Sequence, residues 1–531
     1  MSSSHTAAAQ GDIDSIIART ALKYDLLPYQ SKPFAQSQPA RLGAMAKLFG
    51  LEAAPLASAR VLELGCAAGG NIIPLAMRYP QAQFVGVDLS RTQVAAGRAR
   101  IAGLGLKNIE IQCKSFTELG GETGLFDYII CHGVYSWVPA QVRDAILRIS
   151  HERLSPVGVA YISYNVLPGW RMLQNLRDAF LLEVPDHNDS LARVAQARAL
   201  LEFMKDHSPD QGAYGQMLRT WAERLKHLPD DYIAHEFLEE TNEPCTVREF
   251  ARAAGRHGLG FLGECDIASM ILDNFKPETA AKVREMSKND LVESEQYLDL
   301  LTGRTFRQTL LVSTGRMAKI NRALSPQAIE TLHFIGGGDL KIERDGDGGS
   351  ISDGAGRKLT SPSGMVMDGL ARFVARFPAS SSLDDLGGAL SAQARAAGGR
   401  EQVCEAMYKL AIAGMVTLSS EPVAVAATPG ERPLAIALAR ADAASGADMT
   451  TNHRHEAIGI DPAAKAVLPA LDGTRGAAAL AALLAAEARA GRLQFNRDGK
   501  PVNDAADIET LAGGLIGNVL TGIARAGLLE S

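Results

Sequence analysis

The 531 residues hold no apolar run long enough to span a membrane, and Met1-Ser-Ser-Ser-His-Thr lacks a basic stretch leading into an apolar core. Membrane insertion and secretion are therefore not expected, and a cytoplasmic location is. Lysine and arginine form no block: 54 basic residues against 60 acidic ones leave a net charge of −6. That balance lacks the electrostatic footprint of a broad nucleic-acid binder. Cysteine is sparse, with six residues at 66, 113, 131, 245, 265 and 404 and no C-x-x-C pair. A disulfide framework or cysteine-rich metal centre is excluded, and the six read as buried, small apolar residues in a reducing compartment. His453, His455 and Glu456 stand close in sequence, but two histidines two residues apart without further partners read as structural, so no metal is expected.

Against these absences stands ample core-forming material, 46% hydrophobic residues in a chain long enough for about three domains. The most informative stretch is Arg60-Val-Leu-Glu-Leu-Gly-Cys-Ala-Ala-Gly-Gly-Asn71, followed by Phe84-Val-Gly-Val-Asp88-Leu-Ser90. An apolar strand carrying Glu63 runs into a small-residue turn and a helix, and a second apolar strand ends on Asp88. Asp88 suits ribose hydroxyls, as in any nucleoside site. Glu63 is the discriminating residue: an acid two residues before the turn would sit badly beside a pyrophosphate, but suits the ammonium of a methionine moiety. The pair points to a class I S-adenosylmethionine site. Ala67 and Ala68 fill the turn between Gly65 and Gly69, and alanine fits there only if its φ is negative.

Beyond Asp88 the pattern keeps alternating. A helix is predicted over 93–102, strands over 109–113 and 126–131, a helix over 142–154 and a strand over 158–163. Near-continuous apolar strands separated by helices imply a parallel sheet covered on both faces, its ligand site outside the carboxyl ends of the strands. Residues 166–243 hold helical patterns only. Thr246 and Glu249 then form a capping-box start to a helix, and strands follow at 259–263 and 305–313. The fold expected is therefore α/β: a class I methyltransferase Rossmann-like sheet whose last strands follow an inserted helical cap at 166–243, with a second insertion at 267–303. Residues 1–165 would hold an N-terminal arm and the cofactor-binding core, and 244–316 a middle region that completes the sheet. The Gly-, Asp- and Ser-rich segment 336–362 reads as a hairpin. Leu383-Asp-Asp-Leu to Leu418 and Arg475 to Glu530 each carry a helix ending in Ala-Gly before an apolar pair. An α+β C-terminal region of two winged-helix-like modules, 317–425 and 426–531, is expected. Few cations lie on their helices, which favours protein contact over DNA.

Three further segments carry a family resemblance, Tyr24-Asp-Leu-Leu-Pro-Tyr-Gln-Ser-Lys-Pro-Phe34, His132-Gly-Val-Tyr-Ser-Trp-Val-Pro139 and Tyr161-Ile-Ser-Tyr-Asn-Val-Leu-Pro-Gly-Trp170, and the likeness continues more loosely into Thr451-Asn-His-Arg-His-Glu456. With residues 60–90, they resemble bacterial methyltransferases with a methyltransferase regulatory domain, the family of the rickettsial protein lysine methyltransferases. That resemblance implies a homodimer, a large open cleft and a lysine side chain of a protein substrate as methyl acceptor. The candidate cofactor contacts are Tyr29 and Ser31 of the arm; Glu63, Gly65, Cys66, Ala67, Gly69 and Asn71 of the first strand and turn; Asp88, Leu89, Ser90 and Gln93 after the second strand; Ser115 and Phe116 beside adenine; and His132. His132, Tyr135, Tyr164 and Asn165 are the candidate catalytic residues, with Trp137 and Trp170 on the acceptor side. Methylation of a small molecule, or cofactor sensing by a non-enzymatic dimer, are the alternative readings.

Overall fold

The computed structural model describes residues 19, 21–120, 124–185, 189–209, 212–387, 398–497 and 499–531. Its centre is a seven-stranded sheet of β1 (Arg60–Leu64), β2 (Gln83–Asp88), β3 (Ile109–Cys113), β4 (Phe126–Cys131), β5 (Leu154–Asn165), β6 (Leu259–Glu264) and β7 (Phe306–Ser313), in the order β3-β2-β1-β4-β5-β7-β6. The first five strands run parallel, and β7 is antiparallel to both β5 and β6. This is the class I methyltransferase arrangement. The order reverses at β1, where neighbouring strands lead away on opposite sides and leave a crevice at their carboxyl ends.

The sequence explains the central position of β4. Tyr128, Ile129, Ile130 and Cys131 are all buried, and such two-sided apolarity is stable only between helical layers. β5 starts four residues earlier than the apolar pattern predicts. Its pairing with β4 shifts register between the Phe126–Leu154 and Tyr128–Val159 pairs, and that irregularity absorbs Pro156, which has no N–H to donate. The last two strands are joined to the helix Leu291–Thr302 by a buried ionic cluster. Arg307 donates to Glu264 at 2.8 Å, Glu295 at 2.9 Å and Asp299 at 2.8 and 2.9 Å.

Between β5 and β6 the described chain is helical: Arg171–Glu183, Ser190–His207, Ala213–Lys226 and Asp230–Phe237 pack around Phe180, Leu218 and Phe237 in a core of their own. The next helix, Val247–Arg256, begins with the anticipated capping box of Thr246 and Glu249. In the C-terminal half the 336–362 segment is not a simple hairpin. Lys341–Asp345, Gly348–Ser352 and Lys358–Ser361 form a three-stranded antiparallel sheet, because the Arg357–Ser361 stretch returns along the second strand. His333–Gly336 pairs separately with Val416–Ser419. The final segment packs helices Ala437–Ala444, Ala477–Arg489 and Ala505–Arg525 around Leu480, Leu484, Ile516 and Leu520. Of the six cysteines, Cys66, Cys131 and Cys404 are buried, whereas Cys113 is exposed at the end of the edge strand β3; all six are free thiols. Among the described residues no helix is long and apolar enough to cross a membrane.

Candidate active site

The carboxyl ends of β1, β2, β4 and β5 open into one cavity of about 530 Å³. Its floor is the turn after β1. The Val87 carbonyl accepts the N–H groups of Gly65 at 2.8 Å and Cys66 at 3.2 Å, folding the turn back over β2. Gly65 has φ +79°, and a Cβ there would lie 2.4 Å from Val134 Cγ2, so only glycine fits. Ala67 corrects the sequence-based expectation: its φ is +48°, not negative. The compensating contact is its N–H, which donates to Asp88 Oδ2 at 2.8 Å. A charge-assisted bond of this kind offsets the ~1–2 kcal/mol of a left-handed alanine.

Asp88 Oδ1 accepts the Ser90 N–H at 2.9 Å. Burial raises this carboxyl above its usual range, while the N–H groups of Ser90, Ala67 and Leu89 oppose the shift. Each oxygen keeps acceptor capacity toward the cavity, as ribose hydroxyls require. Glu63 is more extreme. It is buried, Oε1 accepts from Asn71 Nδ2 at 2.7 Å, and Oε2 has no partner among the described residues. Burial pushes the carboxyl up to about 8; the Asn71 bond pulls it down and Asp88 raises it further. An orphaned carboxylate oxygen beside a cavity is costly unless a cation reaches it, which is what the ammonium of a methionine moiety would provide.

The N-terminal arm lies across this floor. Ser31 Oγ accepts the Gly70 N–H at 2.7 Å, and Gln93 Nε2 donates to the Tyr29 carbonyl at 2.8 Å. Gly70 is required for that approach, since a Cβ would sit 2.4 Å from the Ser31 carbonyl carbon and 2.5 Å from Lys32 N. Farther along, Asp25 Oδ1 accepts the Ser90 hydroxyl at 2.6 Å.

The roof comes from the helical insertion. Trp221 and Arg224 on Ala213–Lys226, with Tyr232, His235 and Glu236 on Asp230–Phe237, line the cavity opposite Glu63 and Asp88. His235 fastens the arm to the roof. Its ring stacks on Tyr24 at 4.5 Å, Nε2 meets the Leu27 carbonyl at 2.8 Å, and Nδ1 meets Glu239 Oε1 at 3.1 Å. The Glu236 carboxyl has no hydrogen-bond partner among the described residues, and burial pushes it up to about 7 against the opposing charges of Arg177 and His235.

Most of the predicted residues converge here. Tyr29, Ser31, Glu63, Gly65, Cys66, Ala67 and Asn71 line the cavity, as do Asp88, Leu89, Ser90, Gln93, Phe116, His132 and Asn165. Gly69 lies beneath the turn, where a Cβ would lie 2.8 Å from both Ile111 Cδ1 and Ile73 Cδ1. Ser115 turns its hydroxyl into a capping box over Phe116–Glu118 instead of toward the cavity. Tyr135 and Tyr164 are not brought to the cavity wall. Tyr164 stacks on Phe250 at 4.1 Å and Tyr135 meets the same ring at 5.3 Å, so both belong to the core beneath β5. His132 does face the cavity, its ring 3.9 Å from Phe34 and its Nδ1 2.8 Å from the Tyr161 hydroxyl. Burial, with Lys32 adding to the effect, pushes it down to about 3, so the ring is neutral and suited to packing and hydrogen bonding rather than to holding a proton. The roof residues Trp221, Tyr232, His235 and Glu236 were missed by sequence reasoning. The signal available was an acid–aromatic pattern on an amphipathic helix, and such a pattern does not say which cavity it overlooks.

Comparison with known proteins agrees with this geometry. Residues 61–158 match the family model of a methyltransferase domain, 229–313 that of a predicted methyltransferase regulatory domain, and 431–528 that of the PKMT C-terminal winged helix domain. The uncharacterised protein RP789 of Rickettsia prowazekii is 44% identical over 315 residues, covering 59% of this chain and 56% of its own length, so the match spans about half of that relative. A second uncharacterised protein of that organism, RP028, is 38% identical over 234 residues, covering 44% of this chain and 94% of its own. The solved structure of PKMT2 from Rickettsia typhi in complex with AdoHcy superposes with a TM-score of 0.83 at 27% identity, covering 95% of this chain and 100% of that one. With the strand order, the β1 turn and the two strand-end carboxylates, these matches place the chain in the family of S-adenosylmethionine-dependent class I methyltransferases that carry a methyltransferase regulatory domain.

Proposed function

We propose that this chain methylates lysine side chains of a protein substrate, using S-adenosylmethionine held between the β1 turn and the N-terminal arm. The observation that carries the reading is that one cavity is lined by carboxylates from two separate parts of the fold. Glu63 and Asp88 lie at the strand ends, and Glu236, whose carboxyl has no hydrogen-bond partner among the described residues, lies on the helical insertion with Trp221 and Tyr232. The likeness to PKMT2, whose structure holds AdoHcy, supports the same choice of cofactor and acceptor class.

When bound, S-adenosylmethionine supplies a methyl group activated by its sulfonium. The chain's own residues do the rest. Asp88 would accept from ribose hydroxyls, and Glu63 would meet the amino-acid ammonium. Phe116 and Val134 line the apolar wall available to the base. His132, Phe34 and Phe306 form a tight aromatic wall that excludes water, with ring centroids 3.9 and 5.9 Å apart. On the acceptor side, Trp221 and Tyr232 offer aromatic faces to an ammonium by cation–π attraction. Only the neutral amine attacks, and removing the proton of a lysine at pH 7 costs about 4–5 kcal/mol from its ordinary pKa of about 10.4. Glu236, poised near neutrality, is the group placed to take that proton, and holding the amine at near-attack distance contributes on the order of 7–11 kcal/mol more.

The test is incubation of the protein with labelled S-adenosylmethionine and a cell extract, followed by protein hydrolysis. Label recovered as methyl-lysine is the expected result, and label confined to solvent-extractable molecules would refute the lysine reading. Glu236→Gln should cut transfer to a lysine peptide about a hundredfold while S-adenosylhomocysteine affinity stays unchanged; an equal fall in both would remove the acceptor role.

A further inference from the structure

Asn71 is a junction of three distant parts of the chain. Its Nδ2 donates to Glu63 Oε1 at 2.7 Å and to Ser37 Oγ at 3.1 Å. Its Oδ1 accepts the Phe34 N–H at 2.9 Å and meets His455 Nε2 at 2.8 Å. The Phe34 backbone can only donate, so it identifies this atom as the oxygen, and His455 must carry its proton on Nε2. Burial, with Arg78 and Arg41 nearby, pushes His455 down to about 3, which agrees with a neutral ring. Two N–H donors on the oxygen leave the amide one orientation, with NH₂ toward Glu63. A reversed amide would set NH₂ against both donors and oxygen against a carboxylate.

His455 belongs to the C-terminal winged helix, and its loop is built to present it. Asn452 Oδ1 accepts the N–H groups of Arg454 at 2.9 Å and Glu456 at 3.0 Å, while Nδ2 donates to the Ala526 carbonyl at 2.8 Å. His455 takes φ +62°, a conformation seldom adopted by a side-chain-bearing residue unless surrounding contacts hold it. The helix Ile72–Arg78 that follows Asn71 is clamped by the same loop at its far end, where Arg78 donates to the His453 carbonyl. His453 itself turns its ring toward the Ala424 carbonyl, away from Asn71.

We propose that His455 is a positioning residue for the cofactor's amino-acid end, and that through it the docked C-terminal winged helix sets cofactor affinity. The chain of contacts runs His455 to Asn71 to Glu63, a residue of the cavity wall whose Oε2 is without a partner among the described residues. The inference rests on the reading of that cavity as the S-adenosylmethionine site. Reciprocity follows from linkage: a ligand that engages Glu63 also holds the winged helix against the core.

Calorimetric titration of the full-length protein with two ligands tests it. S-adenosylhomocysteine carries the ammonium that Glu63 would meet, and adenosine does not. His455→Asn suits the left-handed backbone but is too short to reach Asn71, whereas His455→Gln restores an N–H donor at greater reach. His455→Asn should weaken S-adenosylhomocysteine about tenfold, the equivalent of one lost hydrogen bond to an orienting group, and leave adenosine within about twofold. His455→Gln should recover most of the loss, and His453→Ala should change neither affinity. Asn71→Ala should reproduce the selective loss even if the His455 variants fail to fold. Unchanged S-adenosylhomocysteine affinity in His455→Asn, or a parallel loss for adenosine, would overturn the proposal. Failure of the unaltered protein to bind either ligand would instead overturn the cofactor reading on which it rests.

Discussion

Cofactor binding should depend steeply on pH, and Glu63 sets the slope. The carboxyl is pushed up to about 8 by burial, so the ligand-free protein carries a proton there at neutral pH. An ammonium needs the carboxylate, and binding must therefore expel that proton. The sign is opposite to that of a surface acid. The protonated form is the one the fold favours, so the ligand-free protein loses stability as pH rises from the ordinary carboxyl value of 4.5 toward about 8. Ligand affinity moves the other way, scaling with the ionised fraction of Glu63. That fraction is about 1% at pH 6 and about half at pH 8, so the affinity for S-adenosylhomocysteine should rise about fiftyfold across the interval. Above about pH 8 the ligand's own amino group begins to lose its charge and the curve should bend over. Titration calorimetry in two buffers of different ionisation heat reads the expelled proton directly, roughly 0.9 per ligand at pH 7. Glu63→Gln should flatten the profile, and adenosine should give a flat profile with either protein. A pH-independent affinity for S-adenosylhomocysteine in the unaltered protein would refute the reasoning.

Three other outcomes follow from the geometry. Asp88→Ala should weaken S-adenosylhomocysteine and adenosine alike, by roughly tenfold or more, because it removes the ribose acceptor and also the anchor of the Ala67 and Ser90 N–H groups; calorimetry that found adenosine unaffected would separate Asp88 from ribose. Gly70→Ala should displace the arm, since its Cβ would fall 2.4 Å from the Ser31 carbonyl carbon; limited proteolysis should then cleave within residues 24–34 well before the rest of the chain. Arg307→Met would leave Glu264, Glu295 and Asp299 without their central cation; urea unfolding should register a loss of about 3–5 kcal/mol.

The sheet was legible because its strands carry their own boundaries. β3 falls on the alternating segment 109–113, between Asn108 and Lys114, and β4 on the apolar run 126–131, with glycines at 124 and 133. The closing strands β6 and β7 were likewise visible despite the intervening helices. What failed was local and has identifiable physics. Ala67 adopts a positive φ because a tertiary partner, Asp88, captures its N–H, and no turn rule sees that partner. Tyr164 and Asn165 both end β5, but successive residues of a strand face opposite sides. Asn165 therefore reaches the cavity while Tyr164 packs on Phe250 in the core. Ser115 sits at the expected strand end, yet a hydroxyl two residues before a free N–H is drawn into capping it. His453 and His455 read as structural, and their bonds to Ala424 and Asn71 are structural in kind, but sequence spacing could not disclose that one of them ends on Asn71 in the cavity wall.

That contact changes what the winged helix contributes. A nucleoside site beside the β1–β4 switch point needs only local residues: the turn, Asp88 and the arm that crosses Gly70. The orientation of Glu63 needs more, because Asn71 could present either face of its amide to a carboxylate if Phe34 and His455 did not both donate to its oxygen. One donor arrives from 37 residues upstream and the other from 384 downstream. On the proposal above, the core and arm would suffice for adenosine, whereas grip on the amino-acid end would also require the docked winged helix. Recognition of the part of the ligand that distinguishes S-adenosylmethionine from a plain nucleoside would in this way be conditional on docking of the winged helix, as the proposed role of His455 requires.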